Sequence, residues 1–142
     1  MMTPERLSAE QSVLNYYLPR SAYRFCDMST SKPYLKIAAL TNSKNVYTLR
    51  IELDNFPAEV PKVFVNKMLY DKTGHPMSEA SGSMHTLGSE NDRTRICHYG
   101  SNSWAPSVSL FKVYMKCRLW LEMYETHLRT GKPIDYYLKH QA

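Results

Sequence analysis

The sequence is poor in the residues that staple a fold together. It has three cysteines in 142 residues, Cys26, Cys97 and Cys117, and no C-x-x-C pair. A sparse, odd set excludes a disulfide framework and suits a reducing cytoplasm, and without paired cysteines a zinc site is not expected. No apolar run approaches the roughly 18 residues that a membrane-spanning helix needs. The N-terminal stretch has no apolar segment of signal-peptide length and its first charge is Glu5, so no leader is expected. No ATP-binding glycine loop and no metalloprotease histidine pair occur, so neither a cofactor nor a metal is expected. Basic residues outnumber acidic ones by 18 to 13, yet no basic run exceeds two. No polybasic arm and no nucleic-acid reading motif accompany the net charge of +5, so nucleic acid is not an expected partner, whereas an acidic protein fits the balance.

What remains is enough for one core. A chain of 142 residues with 43% apolar side chains reads as a single domain over residues 1–142. Residues 4–18 read as a helix, with Thr3 as cap, Pro4 in the first turn and Leu7, Val13, Leu14, Tyr17 and Leu18 on one face. Three alternating runs follow, at 22–29, 34–40 and 46–54, separated by short polar connectors, and they predict an antiparallel meander. Pro57 and Pro61 forbid a helix and set an extended bend into a fourth short strand at 63–65. Residues 66–96 have no sustained period and predict a long irregular connection, which is usually functional when ordered. From 107 to 130 the spacing is helical, with Leu110, Val113, Tyr114, Cys117, Trp120, Leu121, Tyr124 and Leu128 on one face, Lys112, Lys116, Glu122, Glu125 and Arg129 on the wetter side, and Gly131 as a stop. Residues 132–142 fit one more short turn or an arm. The order is α+β, with helices covering an antiparallel sheet.

Chemistry concentrates in residues 84–106. Cys97 lies in a polar stretch between patterned regions, His85 stands twelve residues before it, and Trp104 and Pro106 close the segment. Loops held by rigid neighbours carry nucleophiles readily. Cys26, in a strand, and Cys117, on the buried helix face, read as core. Arg93 and Arg95 read as solvated, with contact to an acidic tail or partner as the alternative.

Three motifs in order carry a resemblance: Phe56-Pro57 through Phe64, a proline bend before a strand; Ile96-Cys97; and Trp104-Ala105-Pro106 ahead of the main helix. This order resembles the ubiquitin-conjugating enzyme-like family, across nearly the whole chain. It implies the UBC-like fold: an N-terminal helix, a four-stranded antiparallel meander, a long active-site loop and a long C-terminal helix. The departures are specific. No His-Pro-Asn stands near Cys97; His75-Pro76 lies 22 residues upstream and is followed by Met77. His98-Tyr99 follows the cysteine, and the last two helices of eukaryotic members are missing. These departures resemble the bacterial branch found in CBASS anti-phage operons, where a histidine stands in the region of the asparagine.

The resemblance implies a thioester relay. Cys97 accepts the C-terminus of a partner protein, either a cGAS-like nucleotidyltransferase or a ubiquitin-like protein, with or without an activating enzyme, and passes it to an amine. His85 is the candidate for the family asparagine's role, as an oxyanion donor or as a base for the amine; Asn102 and Asn91 are alternatives. His98 is a further candidate that ranks below His85, because adjacent residues of an extended segment point to opposite faces. Trp104 reads as a loop anchor. The alternative readings are a catalytically inactive UBC-like binding module and a cysteine hydrolase using Cys97 and His85. Papain-like hydrolases set their cysteine at a helix start, whereas Cys97 precedes the predicted helix by about ten residues.

Overall fold

Thr3 opens helix α1 (Pro4–Tyr17): its hydroxyl accepts a hydrogen bond from the Arg6 N–H at 3.1 Å, and Pro4 sits in the first turn, where its missing donor is not needed. The computed structural model describes residues 2–139; residues 1 and 140–142 lie outside the described residues. After α1 come strands β1 (Tyr23–Cys26), β2 (Tyr34–Leu40), β3 (Val46–Glu52) and β4 (Val63–Val65), then β5 (Ala80–Ser81), β6 (Thr86–Glu90) and β7 (Arg93–Ile96). Helices α2 (Leu110–Thr130) and α3 (Ile134–Lys139) complete the chain. All strand pairings are antiparallel, in the order β1-β2-β3-β4-β7-β6-β5.

Period-two alternation decides the inner face. Leu35, Ile37 and Ala39 of β2 and Leu49 and Ile51 of β3 are buried, as are Val113, Cys117, Trp120 and Leu121 of α2 in the same core. Each large apolar side chain so buried stabilises the fold by about 1.5–3 kcal/mol. Burial alone pushes the Cys117 thiol far above its ordinary pKa, which keeps it inert.

The structure departs from the sequence reading in several places. The four expected strands are joined by three more, so the sheet has seven strands and not four. Residues 66–96 are accordingly not an irregular connection: β5, β6 and β7 lie within them. Their sequences, AS, TLGSE and RTRI, are short and polar, so no apolar period announces them. Helix α2 starts at Leu110 and not near Ser107, because residues 105–108 close a turn, with Val108 N–H donating to the Ala105 carbonyl at 3.0 Å, and Ser109 caps the helix through Lys112 N–H at 3.1 Å. Cys26 is half-buried on the edge strand β1. Glu125 is buried and not on the wet side; it accepts from Asn45 Nδ2 at 2.7 Å and from the Tyr47 hydroxyl at 2.8 Å. Tyr17 is exposed, its ring stacked on Phe111 with centroids 4.2 Å apart.

Glu10 takes a buried place in α1 and ties two helices together. Its carboxylate accepts from Arg6 Nε at 2.7 Å and from the Leu110 N–H at 2.7 Å, so an anion meets the N-terminus of α2. Arg6 also donates to the carbonyls of Pro106 and Val108 at 2.7 and 2.9 Å. Residues 106–110 are thereby held by α1. Glu10→Ala is expected to lower unfolding stability by about 2–3 kcal/mol, through a lost helix cap and an unpartnered arginine; urea unfolding measures it.

Candidate active site

The centre of the site is built by a hairpin. Strand β6 turns at Asn91-Asp92 and returns as β7, with Glu90 opposite Arg93. Asn91 and Asp92 have φ of 53° and 58°, the left-handed pair that a two-residue hairpin turn requires and that Asn and Asp adopt most easily among residues with a side chain. A register shift between Thr86 and Ser89 is absorbed before Thr86 pairs with Ile96. One residue further on, the Cys97 N–H donates to the His85 carbonyl at 2.8 Å. The segment between His85 and Cys97 therefore folds back, and the two residues face each other across adjacent strand ends.

On the other side, β7 pairs with β4, Val63 opposite Ile96. Carried one residue further, that register places Lys62 beside Cys97. Cys97 is half-buried, one residue past the end of β7.

His85 is held in an unusual state. Its φ is 52°, left-handed backbone that in a non-glycine residue costs about 1–3 kcal/mol and persists only when the surroundings over-determine it. They do so here. Its carbonyl accepts from Cys97 N–H and from the Trp120 indole Nε1 at 3.1 Å, and the same indole reaches the Met84 carbonyl at 3.2 Å. Its Nε2 lies 3.0 Å from Asp135 Oδ1 of α3, with 27% and 30% of the two side chains exposed. The Asp135 N–H in turn donates to the Ser83 carbonyl at 2.7 Å, and Ile134 next to it is fully buried.

The other candidates are dispersed. Asn91 occupies the far turn of the hairpin, roughly 15–20 Å along the strands from Cys97. Asn102 is exposed in the short helical turn Ser101–Ser103. Trp104 donates from Nε1 to the Pro57 carbonyl at 2.9 Å and packs edge-on to Phe56 and Tyr99, with centroids at 6.1 and 5.5 Å; it fastens residues 97–104 to the proline bend. His98 Nε2 donates to the Pro61 carbonyl at 2.9 Å. Burial of that ring, helped by the charges of Arg95 and Lys116, pushes its pKa down to about 4 despite the Pro61 bond. His98 is therefore neutral at pH 7, its N–H is taken by Pro61, and it has no proton to offer an oxyanion.

That shift has a measurable consequence. Between about pH 6.5 and 4 the unfolded chain protonates His98 and the folded chain does not, so stability falls as the pH drops through that window. The full effect is about 3 kcal/mol, from about 1.4 kcal/mol per pKa unit. His98→Gln is expected to flatten this part of the stability–pH curve, as read by denaturant melts at pH 7 and pH 4.5.

A cavity of about 180 Å³ is lined by Ile96 and His98, the residues on either side of Cys97, together with Lys62, Leu87, Arg95 and Tyr99; Cys97 itself is not among its lining residues. A neighbouring one of about 210 Å³ shares Lys62 and Arg95 and adds Glu52, Asp54 and Glu59. Arg95 Nε, His98 Nδ1 and the Tyr99 hydroxyl are buried without a hydrogen-bond partner. Arg95 is thus not a simply solvated side chain, nor is Arg93, whose guanidinium lies 5.6 Å from the centre of the Phe64 ring. Among the described residues, no group of three or more His, Cys, Asp or Glu is placed to hold a metal ion, and no helix is long and apolar enough to cross a membrane.

Two residues at the site went unnoticed in the sequence. Asp135 lies 38 positions beyond Cys97 in a segment with no motif, so only the docking of α3 reveals it. Lys62 follows the second proline of the bend, and the β4–β7 register is what brings it to the cysteine. No family model, curated protein or solved structure matches the chain at a significant level.

Proposed function

We propose that the chain is a ubiquitin-conjugating-like acyl transferase of the bacterial, anti-phage (CBASS) type, in which Cys97 carries the C-terminus of a partner protein as a thioester and delivers it to an amine. The observation that carries this reading is the placement of Cys97: half-buried, one residue past a strand end, and backbone-bonded to a strained histidine. Strain of this kind concentrates at functional sites. The order of elements supports the same reading, with the proline bend ahead of β4 and Trp104 and Pro106 ahead of α2. The extra strands β6 and β7 belong to this reading as the device that presents the cysteine. The cavity flanked by Ile96, His98 and Tyr99 is assigned to the carried tail.

The carried protein is a cGAS-like nucleotidyltransferase or a ubiquitin-like protein, activated beforehand by a separate enzyme or already as a thioester. A second reading has its own observation. The His85–Asp135 contact resembles the base-and-orienter pair of thiol hydrolases, in which water and not an amine receives the acyl group.

One experiment separates these readings and the inactive binding module. The protein is incubated with a glycine-ended peptide thioester of mercaptoethanesulfonate and followed by intact mass under non-reducing conditions. A transferase gains one peptide mass on Cys97, removable by thiol reductant, and passes it to added lysine faster than to water. A hydrolase releases free peptide at the same rate with or without lysine. A binding module gains no mass at Cys97, which would sink the transferase reading.

A further inference from the structure

We propose that Asp135 is a positioning residue that makes His85 a general base for the amine attacking the Cys97 thioester. This inference rests on the transferase reading above. A carboxylate only accepts hydrogen bonds, so the 3.0 Å contact between Asp135 Oδ1 and His85 Nε2 sets the ring proton on Nε2. A neutral imidazole has one N–H, and Asp135 takes it. Nδ1 then carries the lone pair. In that state the ring has no proton to donate to an oxyanion, which removes one of the two roles the sequence left open for His85, and it has a base to offer.

The step balances on that assignment. The amine lone pair attacks the thioester carbonyl carbon, a C–N bond forms and the C–S bond breaks. The proton lost by the amine nitrogen goes to His85 Nδ1 and then to the departing Cys97 sulfur. While the ring is doubly protonated, the carboxylate of Asp135 stabilises the imidazolium, as the aspartate of a hydrolase triad does. The acceptor class follows: an aliphatic primary amine such as a lysine side chain, attacking as the free amine, whose strongly basic nitrogen holds its surplus proton tightly after attack and so gains most from a base.

The surroundings fit positioning. Asp135 N–H is bonded to Ser83, two residues before His85, so the carboxylate and the imidazole are fixed to the same short segment. The His85 carbonyl is fixed from the opposite side by Cys97 and Trp120. A latch for α3 needs only the Asp135–His85 contact; it does not need a left-handed histidine whose carbonyl is bonded to the cysteine's own N–H.

The test loads Cys97 with the same peptide thioester and times its discharge to lysine and to hydroxylamine, a nucleophile already unprotonated at neutral pH. In Asp135→Asn and in His85→Gln, discharge to lysine is expected to slow about a hundredfold, the scale of a lost general base. Loading and discharge to hydroxylamine stay close to the wild-type rates, which also shows that the variants are folded. Two-bond ¹H–¹⁵N correlation spectra of the wild type are expected to show His85 as the Nε2–H tautomer, with that preference lost in Asp135→Asn. Unchanged lysine discharge, equal slowing of both nucleophiles, or an Nδ1–H wild type overturns the assignment. If the wild type never loads Cys97, the transferase reading fails and takes this inference with it. If Cys97 loads and only the lysine result disagrees, Asp135 alone loses its role.

Discussion

Cys97→Ala is expected to abolish formation of the reductant-sensitive adduct altogether, and Cys97→Ser to replace it with an adduct that survives thiol. The argument is one of chemistry at a single atom. In the proposed transferase the thiolate is both the nucleophile that takes the acyl group and the group that leaves when the amine attacks. Alanine supplies neither. A serine hydroxyl forms an oxyester, whose alkoxide leaves far less readily, so the intermediate accumulates. The other cysteines cannot substitute. Cys117 is fully buried and its pKa is raised by that burial. Cys26 is half-buried on the edge strand β1, with three strands, β2, β3 and β4, between it and β7. Intact mass before and after reductant checks this, and full adduct formation by Cys97→Ala would refute the role of Cys97.

Trp120→Ala is expected to lower stability by about 3–5 kcal/mol, the usual cost of deleting a buried aromatic ring, and Tm by roughly 10 °C. Trp120 is 1% exposed and lies parallel to Tyr124 with centroids 5.6 Å apart. The cavity is only part of the effect. The indole N–H also reaches the carbonyls of Met84 and His85, so the residue joins the core to the strained turn beside Cys97. Trp120→Phe separates these contributions. It keeps most of the packing and removes the donor; the His85 carbonyl keeps the Cys97 N–H, so the cost of about 1–3 kcal/mol falls on the Met84 carbonyl. Amide hydrogen exchange at Cys97 and Thr86 is expected to accelerate in Trp120→Phe more than at Leu49 in the sheet centre. Uniform acceleration would mean that the indole serves packing alone.

The same contrast explains what was legible beforehand. Helix α2 and strands β2 and β3 carry dense apolar residues at their own period, so each buried face is written into its own segment, and β4 is a short run buried at every position; α1 is marked by its cap and proline more than by its face, whose buried residues are Leu14 and Glu10. Strands β6 and β7 do not. Their inner-face residues include Thr86 and Thr94, both buried; polar side chains on such short strands give no period. The Asn91-Asp92 turn was the available signal, since Asn and Asp tolerate left-handed backbone. Glu10 and Glu125 were hidden for a related reason. A carboxylate reads as a surface residue until partners 80 or 100 positions away are placed beside it.

By itself, then, the sequence determined the α+β order, the main helix, the first four strands and the choice of Cys97 as candidate nucleophile. Local periodicity, proline and capping chemistry suffice for the elements, because each depends on neighbours within a few residues; the choice of Cys97 rests on the motif order that carries the resemblance to the ubiquitin-conjugating enzyme-like family. The tertiary structure alone decided that residues 86–96 form a hairpin, that His85 and Cys97 meet across it, that His98 is neutral and tied to Pro61, and that Asp135 holds the His85 ring. Each of these is a contact between distant segments, and strand register and the docking of α3 on the core set it.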